Sequence, residues 1–124
     1  MIKCLYVGLG GFVGASLRYL FMLLPISAGS FPISTLMINF IGAVLIGILT
    51  EVTGEIPPIT SNGLLFMEIG VCGGFTAFSA FGLETVLLIQ DGKNVTAYIY
   101  IGLSIALCII GVIIGETLVK SFKG

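Results

Sequence analysis

The chain has 124 residues, of which 57% are hydrophobic and only 9% charged, with a formal net charge of −1 and a mean hydropathy of +1.21. Soluble domains carry roughly a quarter charged residues, so this composition excludes a soluble globular domain, and the near-neutral charge argues against a nucleic-acid partner. There is no His, which removes the commonest general base and metal ligand. Cys4, Cys72 and Cys108 lie far apart inside apolar runs. Their odd number and spacing fit no metal pattern, and they read as small hydrophobes. No nucleophile stands beside a positioned base, so no enzyme activity is expected.

A membrane-spanning helix needs about 20 apolar residues. Four such spans fit this length with only short loops between them. The first is expected at about 2–24 and is stopped by Pro25. Its apolar run is long enough to span and is not followed by a small-residue cleavage site, so it is expected to be retained, unlike a signal peptide. A loop over Ser27 to Pro32 leads to a second span at about 33–52, with Ser34 or Thr35 in its capping turn. Gly54, Pro57 and Pro58 mark the next loop. The third apolar stretch, about 62–89, is long for one span and contains Gly70, Gly73 and Gly74. Gln90 to Asn94 reads as a tight polar turn, about 95–119 as the fourth span, and Lys120 to Gly124 as a short tail.

Four spans put both termini on one side. Lys3, Lys120 and Lys123 lie there; Lys93 lies opposite, joined by Arg18 if its side chain snorkels outward. So weak a bias permits insertion in both orientations. Gly10 with Gly14, and Gly111 with Gly115, have the G-x-x-x-G spacing that lets helices approach closely in lipid. The run from Gly8 to Val13 is not a dinucleotide fingerprint, because the third Gly is missing and no strand precedes it.

Polar groups inside a span are costly and point to function. Arg18 either snorkels or lures anions into a vestibule. Asn39 either bonds a neighbouring helix or lines a pore. Glu68 and Glu84 lie closer to the ends of the third stretch, within reach of water. The centre of that stretch is the most informative segment. Gly73-Gly74 falls near its midpoint, and paired glycines lower helix propensity by about 1 kcal/mol each. A break at that depth persists only where protein, water or an ion satisfies the backbone, and broken helices recurrently build ion sites from free carbonyls. A packing kink is the alternative. Phe75, Phe78 and Phe81 follow at intervals of three, along one face, with Ser79 on another. Aromatic ring edges carry partial positive charge, so a small anion can approach them edge-on while Asn and Ser donate hydrogen bonds.

Three blocks resemble the Fluc (CrcB) family of fluoride channels, in order and spacing. They are Gly10-Gly11-Phe12-Val13-Gly14-Ala15-Ser16-Leu17-Arg18-Tyr19, Thr35-Leu36-Met37-Ile38-Asn39-Phe40-Ile41-Gly42, and Gly73-Gly74-Phe75-Thr76-Ala77-Phe78-Ser79-Ala80-Phe81. The family blocks read G-G-x-x-G-A-x-x-R-Y, T-L-x-x-N-x-x-G and G-G-x-T-T-F-S-T-F. The resemblance covers the whole chain. It implies an all-α integral membrane protein of four spans with a broken third helix, assembled as a dual-topology antiparallel dimer with two fluoride pores. Phe78 and Phe81 would be the pore aromatics and Asn39 a pore donor. Thr35 and Ser79 would be polar lining positions, with Tyr100 and Ser104 added from the fourth helix. Arg18 would sit at the vestibule and Glu84 near the polar track. The backbone carbonyls of Gly73 and Thr76 would hold a structural Na⁺ at the dimer centre.

Two positions depart from the family pattern, which has Thr where this chain has Ala77 and Ala80. Loss of the hydroxyl at Ala80 is compatible with one subunit of a heterodimer as well as with a homodimer. The function this implies is passive fluoride export across the cell (inner or plasma) membrane. A small multidrug-resistance-type exporter is the rival. It would need a Glu inside the first span, where this chain has Arg18, and this chain also has no Trp.

Overall fold

The computed structural model describes residues 2–24, 31–53, 62–76 and 78–123. The helices are α1 (Ile2–Met22), α2 (Ile33–Thr53), α3, α4 (Phe78–Gln90) and α5 (Asn94–Lys123). Helix α3 is built from three consecutive pieces: a turn over Asn62–Leu64, a wider π-helical stretch over Leu65–Cys72, and a return to α geometry over Gly73–Phe75. Four spans are long and apolar enough to cross a membrane among the described residues, the third being α3 and α4 together, Asn62–Gln90. The all-α fold therefore stands as expected.

The ends differ from the sequence expectation by a few residues. Helix α1 stops at Met22, and Leu23 and Leu24 form a turn ahead of Pro25, which lies outside the described residues. Helix α2 begins at Ile33 with Ser34 and Thr35 in its first turn, as expected; the Leu36 N–H donates to the carbonyl of Pro32 at 3.3 Å, and Thr35 is buried at 2% exposure. The expected turn after α4 is present. Gly92 takes φ 79°, Lys93 N–H donates to Leu88 O at 2.9 Å and Gly92 N–H to Ile89 O at 3.0 Å. This pattern closes a helix C-terminus and needs a left-handed residue, which Gly supplies at no steric cost. The expected C-terminal tail is helical as far as Lys123, and at 30 residues α5 is about 45 Å long. That exceeds the roughly 30 Å hydrocarbon core.

Two glycine seams hold the bundle. Gly10 and Gly14 of α1 face α3 so closely that a Cβ built on Gly10 would stand 2.8 Å from the Gly70 Cα, and one on Gly14 would stand 2.8 Å from the Phe75 nitrogen. Residue numbers rise together along this seam, so α1 and α3 run in the same direction. The second seam joins α2 and α5, also parallel. There a Cβ on Gly111 would meet the Ala43 Cβ at 2.9 Å, and one on Gly115 would meet the Ile48 nitrogen at 2.9 Å. Lipid gives helices no hydrophobic reason to associate, so close backbone approach supplies the packing energy. Both G-x-x-x-G pairs act as packing seams. Helix α4 joins α5 and α2 through a small core of Leu36, Leu88, Ala97 and Tyr100.

The third span is broken as expected, but not at the glycine pair. Gly73 and Gly74 are helical, with Gly73 at φ −64° and ψ −39°. The chain leaves the helix at Thr76, which is extended at φ −77° and ψ 156°. Its neighbour Ala77, one of the two departures from the family pattern, lies outside the described residues. Gly74 serves packing instead: a Cβ there would stand 2.7 Å from the Gly11 oxygen. Close packing of Gly74 against α1 outweighs its poor helix propensity.

Candidate functional site

The break positions the site. A Cβ on Gly42 of α2 would run into the Thr76 Cγ2, so the missing side chain leaves a notch that receives the Thr76 methyl where α3 ends. The chain restarts at Phe78, and the first turn of α4 points its aromatics toward α5. Between α2, α4 and α5 lies a groove of about 360 Å³, lined by Asn39, Thr76, Phe78, Phe81, Ser104 and Cys108 among others. Ala43, Ile46, Ile105, Ile109 and Val112 make the remainder apolar. Four of the residues expected to line a pore, Asn39, Phe78, Phe81 and Ser104, are thus brought to one surface from three helices.

Aromatic rings step away from this groove in a ladder. Phe78 lies 5.5 Å from Phe81 between ring centroids, Phe81 lies 5.2 Å from Tyr100, and Tyr100 meets Phe31 edge-on at 5.6 Å. Phe78 is 83% exposed, whereas Tyr100 is fully buried. The Tyr100 hydroxyl donates a long hydrogen bond to Glu84 Oε1 at 3.4 Å and interacts with the side chains of Thr35 and Ser104. The Ser104 oxygen itself is buried without a hydrogen-bond partner of ordinary geometry. Thr35, Glu84, Tyr100 and Ser104 therefore form a polar cluster adjoining the groove. Glu84 is drawn inward to Tyr100 instead of reaching for an interface.

Other expected residues fall elsewhere. Ser79 is exposed and outside the groove lining, as its position on a different face from Phe78 implied. Arg18 is half-buried on α1, one turn beyond Gly14 on the face that meets α3, and does not line the groove. Glu68 is buried at 8% exposure within the π-helical stretch, although its place near the start of the span puts water within reach by sequence. Cys108 lines the groove, a role the sequence did not suggest. Its signal was spacing: Tyr100, Ser104 and Cys108 recur every four residues and share one face of α5.

Gly73 and Thr76 lie where α3 ends. The extended backbone at Thr76 takes its carbonyl out of the helical ladder, and the last carbonyls of any helix lack intrahelical partners. Gly73 is exposed, with nothing within 4 Å of where a Cβ would stand. No three His, Cys, Asp or Glu side chains converge as a metal site among the described residues.

A hydroxyl, an amide and aromatic edges on one apolar-walled surface can replace the hydration of a small ion, but offer no proton-transfer or covalent chemistry. The fold and this groove define a small multi-pass α-helical membrane protein with the elements of an ion path beside a broken helix. The chain belongs to the CrcB family: residues 5–116 match the family described as CrcB-like protein, Camphor Resistance (CrcB). A protein of Ruminiclostridium cellulolyticum named fluoride-specific ion channel FluC is 46% identical over 123 residues, covering 98% of this chain and 95% of the relative. Proteins of the same name are 38% identical in Clostridium novyi, covering 97% of this chain and 95% of the relative, and 41% identical in Elusimicrobium minutum, covering 88% and 86%.

Proposed function

We propose that this chain forms a fluoride-selective channel that lets fluoride leave the cell passively through the inner or plasma membrane. The observation that carries the reading is the convergence of Asn39, Phe78, Phe81 and Ser104 on one groove beside the broken span. Near full-length relatives named as fluoride channels support it. Fluoride is small and strongly hydrated, so a path must replace its water with close donors that still release it. The Asn39 amide, the Ser104 hydroxyl and the positive ring edges are such donors. Arg18 acts at a distance by raising local anion concentration, an effect weakened by salt.

The test is fluoride-electrode efflux from liposomes holding the purified protein, with chloride and a cationic drug as controls. Fluoride efflux without chloride or drug movement is expected. Drug movement driven by a proton gradient would establish the exporter reading instead. No fluoride flux from this chain alone, restored by a related second chain, would make it one subunit of a heterodimer.

The working unit in this reading is an antiparallel dimer with two pores. The groove is open along one side of a single chain, and a second copy closes it against lipid. A Na⁺ on the two-fold axis, held by the Gly73 and Thr76 carbonyls of both copies, joins the breaks at mid-depth. Single-cysteine labelling should find termini on both sides of the membrane. Replacing Na⁺ by a large organic cation throughout should lower the dimer's melting temperature. Termini all on one side, or a melting temperature indifferent to Na⁺, would overturn the respective proposal.

A further inference from the structure

Thr85 stands one turn beyond Phe81 in α4, buried at 8% exposure. Phe81, Thr85 and Leu88 share one helical face, and both Phe81 and Leu88 pack into the core around Tyr100. The Thr85 hydroxyl is thus held between apolar contacts inside a span, where a polar group without a partner costs free energy. Its Oγ1 donates to the Phe81 carbonyl at 2.8 Å. That carbonyl is also the helical acceptor for the Thr85 N–H, so one residue donates to it twice. Side-chain bonds of this kind often bend helices and compete with the backbone ladder.

The bond acts at the turn that bears Phe78 and Phe81. Because the chain is extended at Thr76, no continuous helix holds that turn from its N-terminal side. Its direction is set from below and from the side: by the Thr85 bond, by the Glu84 contact to Tyr100 at 3.4 Å, and by the Phe81 ring on Tyr100 at 5.2 Å. We propose that Thr85 is a positioning residue for the ion path, its hydroxyl holding the Phe81 carbonyl so that the Phe81 ring stands against Tyr100 with its edge to the groove. The proposal rests on the fluoride-channel reading for its flux readout and on geometry alone for its spectroscopic one.

Thr85→Val keeps shape and branching but removes the donor; Thr85→Ser keeps the donor and loses a methyl. In liposomes Thr85→Val should lower fluoride efflux by about fivefold, roughly 1 kcal/mol of barrier, and reduce the preference for fluoride over chloride. Thr85→Ser should stay close to the parent. In parallel, 4-fluorophenylalanine placed at position 81 gives a ¹⁹F resonance that reports the ring's surroundings in detergent. That resonance should move in Thr85→Val, and equally in Thr85→Ala should the Val protein fail to fold, but not in Thr85→Ser. Parental flux and an unmoved resonance in Thr85→Val would overturn the proposal. So would equal losses in the Val and Ser proteins, since those would mark a packing role. If the parent conducts no fluoride, the channel reading falls while the resonance still decides whether Thr85 aims the ring.

Discussion

Replacing Phe81 by Ile should cut fluoride efflux by at least about tenfold, a barrier increase of about 1.4 kcal/mol, and Phe78→Ile should do the same. Ile retains apolar bulk but has no ring quadrupole, so it removes the positive edge offered to the anion. The two positions separate conduction from folding. Phe78 is 83% exposed, and its loss removes little packing within the chain. Phe81 packs on Tyr100 at 5.2 Å and on the core that joins α4 to α5, so its replacement also loosens that contact. Matching flux losses at both sites, with only the Phe81 variant less heat-stable, would assign the shared effect to ion passage. Dimer content is read by gel filtration before each flux measurement. Unchanged efflux in the double Phe→Ile protein would reduce the rings to packing, and the path would then have to follow another face.

Most of this architecture is legible in the sequence because lipid imposes simple demands. Each span is a long apolar run, and the polar exceptions stand out. Asn39, Phe78, Phe81 and Ser104 are legible as a group, and the structure brings them to one groove. The place of the break is not. A glycine pair lowers helix propensity, but propensity is local, and the decisive contact is with α1: a Cβ on Gly74 would stand 2.7 Å from the Gly11 oxygen. The break instead follows Thr76, whose methyl fits the notch at Gly42, a residue on another helix. The π-helical stretch over Leu65–Cys72 leaves no trace either, since eight mostly apolar residues cannot distinguish its pitch from an α-helix. Glu84 reads as a residue near water because the sequence displays its position in the span and hides its partner, Tyr100.

Gly14→Leu should be the most damaging single change to the fold, with Gly10→Leu close behind. At both positions the space a side chain needs is filled by backbone, which cannot step aside as a side-chain tip can. A Cβ on Gly14 would stand 2.8 Å from the Phe75 nitrogen and 2.9 Å from the Val71 carbonyl carbon; one on Gly10 would stand 3.0 Å from the Val71 nitrogen. Helices α1 and α3 must therefore move apart along the whole seam, forfeiting the close approach that holds them in lipid. Overpacking a tight core costs roughly 1–3 kcal/mol, and separating two helices along a seam belongs at the upper end. Phe75 sits at this seam and meets Phe21 edge-on at 6.4 Å, immediately before the break at Thr76. The displacement therefore reaches the groove, and flux should fall together with stability. Gly8→Ala and Gly102→Ala are the controls. Nothing lies within 4 Å of a Cβ at either position, and Ala favours helix over Gly by about 1 kcal/mol, so these proteins should melt at or above the parental temperature. Melting followed by gel filtration after heating separates the two sets. Equal melting temperatures for Gly14→Leu and Gly8→Ala would show that the α1–α3 seam does not hold the bundle.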